Sequence, residues 1–303
     1  MADIVPGIKS IERLQRQQAR ARKIQAVVDG RIEATTRLHN QQQYAKEHKV
    51  YRVFIACPAY RWPLDPHTQA SVQAAIAYPG LDCEFQAVVG DAHIERARAM
   101  LLMHYLRHPR ALAFFLNIDW DIEFYPDDLY RMCARAEEHA IGIFGGPYPF
   151  KTDTEPGKAG VPVMRVKPNA TIDEVNHIID CAYVGSGFML VQKETFTKLM
   201  KWYPDLLFNA NPDLAKDRPQ TWAGWNPVLI PRPDWGEGEK ELLSEDYSFC
   251  HRAAEVGIRV ALDLTVRLKH WDGAKVYELP MQAEASMDGR DAIANVGEAG
   301  RGR

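Results

Sequence analysis

Two aspartates behind an apolar run carry the spacing that most directly suggests chemistry. The segment FFLNIDWDIEF (114–124) predicts a buried strand that delivers Asp119 and Asp121 at its carboxyl end. Side chains two residues apart in an extended segment point the same way, so these carboxylates would repel each other without a cation between them. A hard divalent ion that is also chelated by phosphate oxygens meets this need. A strand-end turn with two solvated aspartates is the alternative.

A second pair of acids, Glu245 and Asp246, lies in the segment LLSEDYSFCHRAAEVG (242–257). The segment predicts a helix with Ser244 as its N-cap and Gly257 just past its end. The alternative to a functional role is that an acid in the first turn compensates the helix dipole, which explains one of the two. The functional interpretation is a carboxylate at the wall of a site that takes a proton from an acceptor hydroxyl.

Three basic side chains stand near the ends of predicted strands. His270, in RLKHWDG (267–273), ends the last predicted strand, and an imidazole beside carboxylates suits Mn²⁺ or another borderline metal. It faces the same edge as the aspartates only if the sheet is continuous. Arg96 and Arg98 begin a predicted helix, where residues two apart diverge, so one of them could reach a diphosphate while the other pairs with surface acids.

The elements that must position these groups alternate between strand and helix. Strands are predicted over 51–57, 83–90, 111–119 and 140–146, and helices over 67–78, 94–106 and from Pro126 onward. Such alternation predicts an open, largely parallel α/β sheet flanked by helices. Ligands of these sheets bind at the carboxyl ends of the strands, where the candidate residues lie.

The second half of the chain is predicted to be less regular. Two β-rich stretches (161–168 and 181–192), a helix (193–202) and a last strand (259–270) surround a long irregular segment, 204–241, that is rich in Trp and Pro. A loop of this length inside a compact domain is usually functional. The tryptophans predicted to stack on an acceptor sugar or nucleobase are Trp222, Trp225 and Trp235, although they could instead anchor the loop to the domain.

The two ends of the chain differ from this central part. Residues 1–49 hold ten Lys/Arg and five Asp/Glu, a local excess of positive charge in a chain whose net charge is −3. Their apolar spacing predicts one or two amphipathic helices. This helical arm would pack on the main domain or pair two subunits, or else its basic face would touch an anionic acceptor. Residues 281–303 are predicted to form a flexible tail after a catalytic domain of 50–280.

Composition and missing motifs exclude several classes of protein. With 46% hydrophobic and 25% charged residues the chain is neither disordered nor collagen-like. Five scattered cysteines without a C-x-x-C pair favour a reducing compartment, and no apolar run is long enough to span a bilayer. The expected location is therefore the cytoplasm of a bacterium or of a phage-infected host.

No G-x-G-x-x-G, Walker A loop or glycine-rich turn follows the first strand, which disfavours dinucleotide enzymes, P-loop enzymes and sugar-nucleotide pyrophosphorylases.

Residues 51–273 resemble glycosyltransferases of the GT-A fold, especially phage- and virus-type members related to family 2. The resemblance depends on the order of seven segments: CPAY (57–60), ERARA (95–99), IDWDIEFYPDDL (118–129), IFGGPYPFK (143–151), VGSGFMLVQKETF (184–196), SEDYSFCHRA (244–253) and RLKHWDG (267–273). It implies a UDP- or GDP-sugar donor, a Mn²⁺ or Mg²⁺ cofactor, and transfer to a glycan or to a hydroxymethylated DNA base.

The resemblance also implies roles for individual residues. Donor-binding residues would be Cys57, Pro58, Ala59 and Tyr60 at the nucleoside, Arg96 or Arg98 at the phosphate or sugar, Lys151 at the phosphate, and Gly185, Ser186 and Gly187 at the transferred sugar, since glycine permits close approach. Asp119 would touch the ribose or metal-bound water, and Asp121 and His270 would chelate the metal. Trp120 is a departure, because many family members carry a small or aliphatic residue there.

The implied reaction is inverting, with Asp246 as the base and Glu245 as the fallback. A retaining course stays open, since the fold does not dictate stereochemistry. A catalytically inactive carbohydrate-binding or scaffold module is a further alternative, which the intact set of acids and His270 speaks against. A metal-dependent phosphodiesterase would need more strand-end ligands than the sequence offers.

Overall fold

The computed structural model describes residues 37, 40–151, 161–208 and 221–279. By its internal contacts the chain divides into two units, Met1–Val50 and Tyr51–Arg303. Most of the predicted helical arm (residues 1–36, 38 and 39) and all of the predicted tail lie outside the described residues, so the structures of those parts stay predictions. Within the described segments, no helix combines the length and the apolar character that crossing a bilayer requires.

The main unit is built on one open sheet. Its strands are β1 (Tyr51–Ala59), β2 (Leu81–Val89), β3 (Phe114–Ile118), β5 (Ile143–Gly145), β6 (Met164–Val166), β7 (Ile172–Asp173), β8 (Ile178–Val184), β9 (Phe188–Gln192) and β14 (Val260–Asp263). The order across the sheet is β2-β1-β3-β9-β5-β14-β8-β6, with β7 also paired to β8. All of these strands run in one direction except β8 and β9, which run against them. The prediction of an open, mostly parallel α/β sheet is confirmed.

Five helices cover the two faces of this sheet. They are α1 (Pro66–Ala77), α2 (Ile94–Leu106), α3 (Pro126–Glu138), α4 (Lys193–Trp202) and α5 (Glu245–Glu255). Alternate residues of β1 enter two different cores: Val53 and Ile55 pack with α1 and α3, whereas Phe54 and Ala56 pack with α2, α4 and α5. The strand is buried on both sides, which explains its continuous apolar pattern.

The last predicted strand, 259–270, is broken in the structure. β14 ends at Asp263, whose Oδ1 accepts hydrogen bonds from Thr265 N at 2.9 Å and Thr265 Oγ1 at 2.6 Å, so the chain turns there. It becomes extended again as β15 (Lys269–Asp272), outside the central sheet, between β4 (Ile122–Glu123) and β16 (Lys275–Glu278). The expectation that His270 ends a continuous central strand is therefore wrong.

The Trp- and Pro-rich segment is less irregular than predicted. Its described residues contain two small antiparallel ribbons: β10 (Leu207–Phe208) pairs with β11 (Thr221–Trp222), and β12 (Val228–Pro231) pairs with β13 (Lys240–Leu243). β13 leads directly into α5, so the second ribbon fixes the approach of the chain to Glu245 and Asp246.

Two of the three tryptophans in this segment belong to the core. Trp222 and Trp225 have no exposed surface. The Trp222 indole N–H donates to the carbonyl of Tyr203 at 3.0 Å, and the Trp225 ring stacks on Phe249 with centroids 4.6 Å apart. No face of either ring is open to a ligand, so the prediction that they stack on an acceptor is corrected. Trp235 is 54% exposed, so its ring is still accessible for stacking on an acceptor.

Candidate active site at the carboxyl edge of the sheet

A buried arginine joins the end of β3 to the first turn of α5. Arg98 on α2 is 1% exposed. Its Nη2 donates to Asp119 Oδ1 at 3.2 Å, and its Nη1 donates to Glu245 Oε1 at 2.5 Å. The backbone N–H of Asp119 donates to the carbonyl of Gly187 at 3.0 Å, which ties the aspartate to β9 as well. One guanidinium thus brings together two acids that are far apart in sequence.

The other predicted arginine lies outside this cluster. Arg96 is exposed and forms a bidentate salt bridge with Asp91. Its Nε donates to Oδ2 at 2.8 Å, and its Nη2 donates to Oδ1 at 2.6 Å. Of the two arginines predicted to reach the donor, only Arg98 is in the site, and both of its terminal nitrogens already bind carboxylates.

The second aspartate of the pair faces a different partner. Asp121 is 5% exposed, and its Oδ1 lies 3.5 Å from His270 Nε2. Pairing of β15 with β4 sets His270 opposite Ile122, and the N–H of Trp271 donates to the carbonyl of Asp121 at 2.9 Å. His270 therefore reaches Asp121 as predicted, although by a separate three-stranded sheet rather than by the central one.

The histidine is oriented by the backbone. His270 Nδ1 lies 2.9 Å from the carbonyl oxygen of Pro149. A carbonyl only accepts hydrogen bonds, so Nδ1 carries a proton and Nε2 is the ring nitrogen that faces Asp121. The same carboxylate has a second basic partner, because the ammonium group of Lys151 donates to Asp121 Oδ2.

The pKa values of the two aspartates are shifted in opposite directions. Burial raises the pKa of Asp119 above its usual value, and the charge of Arg98 only partly opposes that effect. Burial also acts to raise the pKa of Asp121, but hydrogen bonds to His270 and Lys151 outweigh it and the pKa is lowered. Asp121 is thus the carboxylate that stays ionised most readily, as a metal ligand must.

Two of the predicted ligands fit a divalent cation. A carboxylate oxygen of Asp121 and the Nε2 of His270 face each other, and the Pro149 carbonyl fixes the imidazole as the outer partner of a metal-bound histidine does. Among the described residues, no three His, Cys, Asp or Glu side chains form a complete site. Asp119, also predicted as a ligand, is turned toward Arg98. Oxygens of a bound diphosphate would have to complete the coordination.

A tyrosine that the sequence analysis did not single out organises the glycine turn. The backbone N–H of Gly187 donates to the Tyr148 hydroxyl at 2.9 Å. A Cβ at Gly185 would lie 2.3 Å from that hydroxyl, and a Cβ at Gly187 would lie 2.7 Å from it. These glycines therefore make room for Tyr148, and their place beside the transferred sugar stays a prediction. The one available signal was the position of Tyr148 in IFGGPYPFK, a segment that supported the family resemblance.

Ser186, between the two glycines, is different. It is 1% exposed, and its hydroxyl has no hydrogen-bond partner in the part of the chain that the structure describes. A buried hydroxyl without a partner is costly unless a water or a ligand satisfies it. Ser186 is thus the member of the turn whose chemistry points to a bound group.

At the end of β1, three of the four candidate residues are buried. The side chains of Cys57 and Ala59 are buried in the core, and burial raises the pKa of the Cys57 thiol. Pro58 is buried as well, whereas Tyr60 is 76% exposed. Of the four residues predicted to line a nucleoside pocket, only Tyr60 presents a free ring.

The first turn of α5 carries the candidate base. Asp246 is 9% exposed, and its Oδ1 accepts hydrogen bonds from the Ser244 hydroxyl and from the Tyr247 N–H. Burial, and then the neighbouring charge of Glu245, raises its pKa. A carboxylate with a raised pKa is a stronger base than an ordinary aspartate, and its Oδ2 has no protein donor among the described contacts.

Comparison with known proteins adds little to this geometry. No protein-family model and no curated protein matches the chain. Among solved structures, Staphylococcus aureus TarS 1–349 matches at 14% identity and a TM-score of 0.36, over 76% of this chain and 60% of that one. The inositol-1-phosphate CTP transferase from T. maritima matches at 12% and 0.36, over 78% of this chain and 92% of that one.

A third solved structure is GalNAc-T7 with UDP, GalNAc and Mn²⁺, which matches at 9% identity and a TM-score of 0.37, over 75% of this chain and 45% of that one. The chain thus spans less than two thirds of TarS 1–349 and of GalNAc-T7. At these values none of the three structures assigns an activity to this chain.

Proposed function

We propose that this chain transfers a glycosyl unit from a nucleotide-diphosphate sugar to an acceptor hydroxyl. The observation that carries the proposal is the contact of Arg98 with both Asp119 and Glu245, which sets the edge of the sheet beside the helix turn that bears Asp246. An open α/β sheet binds its ligands at this edge. Asp121, two residues after Asp119, faces His270, and we propose these two side chains as the cation-binding pair.

The donor would bind at the end of β3. Asp121 and His270 would hold Mn²⁺ or Mg²⁺, and such an ion, when bound, neutralises the diphosphate leaving group. Asp119 would accept a hydrogen bond from the ribose, and Lys151 would reach the diphosphate oxygens. The hydroxyl of Ser186 would form a hydrogen bond with the nucleotide sugar. A UDP- or GDP-sugar fits these groups.

Asp246 would act on the acceptor. Its carboxylate takes the proton of the acceptor hydroxyl, whose oxygen forms a bond to the anomeric carbon. The bond from that carbon to the diphosphate breaks, and its electron pair stays on the phosphate oxygen. Because the acceptor attacks from the face opposite to the diphosphate, the configuration at the anomeric carbon is inverted. Glu245 is engaged by Arg98, which favours Asp246 as the base and makes Glu245 a positioning residue.

The acceptor is proposed to be a glycan or a hydroxymethylated DNA base. Trp235 is the remaining candidate for stacking on it, since it is half exposed and lies between β12 and β13. The guanidinium of Arg232 lies 4.3 Å from its ring and covers one face, which leaves the other for a sugar or a base.

The proposal predicts that a nucleotide sugar and a divalent ion stabilise the protein together. In a thermal-shift screen of UDP- and GDP-hexoses, a donor at about 100 times its Kd would add about 2.7 kcal/mol of stability in Mn²⁺ and little in EDTA. Asp121→Asn should lose this shift, whereas Asp127→Asn, an exposed aspartate on α3, should keep it. A screen in which no nucleotide sugar raises the Tm under either condition would reject the function.

A pH profile tests how Glu245 acts on the base. Because the pKa of Asp246 is raised by burial and by Glu245, activity should fall with decreasing pH at a higher value than for an ordinary aspartate. Glu245→Gln removes a like charge, keeps an oxygen for Arg98, and should move the acid limb of kcat to lower pH. An acid limb that stays in place would contradict the assignment of Asp246, because the proton would then leave through another group.

A further inference from the structure

One carboxylate of the site already holds a protein cation. The Lys151 ammonium group donates to Asp121 Oδ2, while Oδ1 of the same carboxylate faces His270 Nε2. Asp121 is nearly buried, and 26% of the Lys151 side chain is exposed. The cation is therefore on a partly exposed side chain, whereas its carboxylate partner is buried.

We infer that Lys151 occupies the cation position in the ligand-free protein and is displaced when a divalent ion binds. A lysine ammonium group is a compact point charge, so it neutralises Asp121 much as a metal ion would. An ion that binds between Asp121 and His270 would repel an ammonium group in contact with the same carboxylate. The two cations therefore compete for Asp121, and the protein alone binds the ion weakly.

The ring of Trp120 lies beside the lysine. While Lys151 binds Asp121, its Nζ lies 6.0 Å from the centre of the Trp120 ring, and the guanidinium of Arg61 lies 4.8 Å from the same ring. A displaced Lys151 would stay near this ring and would add its charge to a bound diphosphate, so ion and diphosphate would bind together more tightly than either binds alone.

The inference rests on the cation site of the proposed function but not on sugar transfer, and metal binding tests it directly. Mn²⁺ is titrated into the full-length, nucleotide-free protein, and the free ion is followed by electron paramagnetic resonance. Lys151→Met should bind Mn²⁺ at least roughly tenfold more tightly than the wild type, because the competing charge is gone. Lys151→Arg should bind no more tightly than the wild type, because it keeps a cation.

Lys198→Met is the matched control, since Lys198 is an exposed lysine on α4. It should leave the Mn²⁺ affinity unchanged, and Asp121→Asn should abolish binding in the Lys151→Met background. In saturating Mn²⁺, Lys151→Met should also bind inorganic pyrophosphate less tightly than the wild type.

Three results would overturn the inference: equal Mn²⁺ affinity in the wild type and Lys151→Met, the same gain in Lys198→Met, or no Mn²⁺ binding by any variant. If Lys151→Met binds Mn²⁺ more tightly but no nucleotide sugar stabilises the protein, the inference stands and the glycosyltransferase proposal fails.

Discussion

Asp246→Asn is expected to lower kcat by about 10²–10⁴-fold, the usual contribution of a positioned general base. The amide has the same shape as the carboxylate and keeps an oxygen for the Ser244 hydroxyl and the Tyr247 N–H. It cannot accept the proton of an attacking hydroxyl. The measurement is steady-state turnover with a donor that stabilises the wild type, at a pH well above the acid limb.

The same substitution should not weaken the fold. Burial and the charge of Glu245 raise the pKa of Asp246, which means that the folded state disfavours the ionised form. At a pH above both the folded and the unfolded pKa of Asp246, the ionised form costs stability, and a neutral amide removes the cost. The Tm of Asp246→Asn is therefore expected to equal or exceed that of the wild type, a common trade-off at active sites.

Asp127→Asn is the matched control for this substitution. It makes the same change in the first turn of α3, where Asp127 is exposed and pairs with Arg267 at 2.9 Å. It removes a charge at a helix N-terminus but touches no candidate site residue, so turnover should be unchanged. Near-normal turnover of Asp246→Asn, or a loss that follows a lowered Tm, would contradict the assignment of the base.

Helices and the first strands were predictable because local signals agreed with the final packing. The predicted helices 94–106 and 193–202 have the observed bounds, and Pro126 and Ser244 stand at the predicted helix starts. The break after Asp263 was not predictable, because RVALDLTVRLKH keeps a strand pattern across it. That turn is decided by the hydrogen bonds that Thr265 and, from α3, Arg135 donate to Asp263.

Part of the site could be predicted from the spacing of residues along α2. Arg98 shares the buried face of α2 with Leu101, Leu102 and Tyr105, at spacings of three, four and seven residues. That spacing could have separated it from Arg96, which lies off this face. Its partner Glu245 lies 147 residues further along the chain, and no local pattern could have shown that contact.

Aromatic composition was a poor guide to the acceptor site. A tryptophan in a Pro-rich loop can stack on a ligand or fill a core, and the sequence does not distinguish the two. Trp225 lies against Phe249 in the core. Trp222 fills the space beside Gly224, where a Cβ would lie 1.7 Å from its ring. The small neighbour was a signal of close packing, but it can be interpreted only once the ring has been placed.

Arg98→Met is expected to have the largest effect on stability. Removing one partner of a buried ion pair costs about 3–5 kcal/mol, because the other partner is left uncompensated. Here two carboxylates lose their cation, but 27% of the Asp119 side chain and 24% of the Glu245 side chain are exposed, so water screens part of the loss. We therefore expect a decrease of about 3 kcal/mol in the free energy of unfolding, measured by urea denaturation.

Arg96→Met separates this effect from the loss of an arginine on α2. Arg96 is exposed and binds only Asp91 among its described contacts, so the substitution should change neither stability nor turnover measurably. The double variant Arg98→Met with Glu245→Met should recover part of the stability, because Glu245 no longer lacks its cation although Asp119 still does, but not activity, because the link between Asp119 and the first turn of α5 is missing. Recovery of both would show that the contact between Arg98 and Glu245 serves the fold alone. Recovery of stability without turnover would show that it positions Asp246 for the reaction.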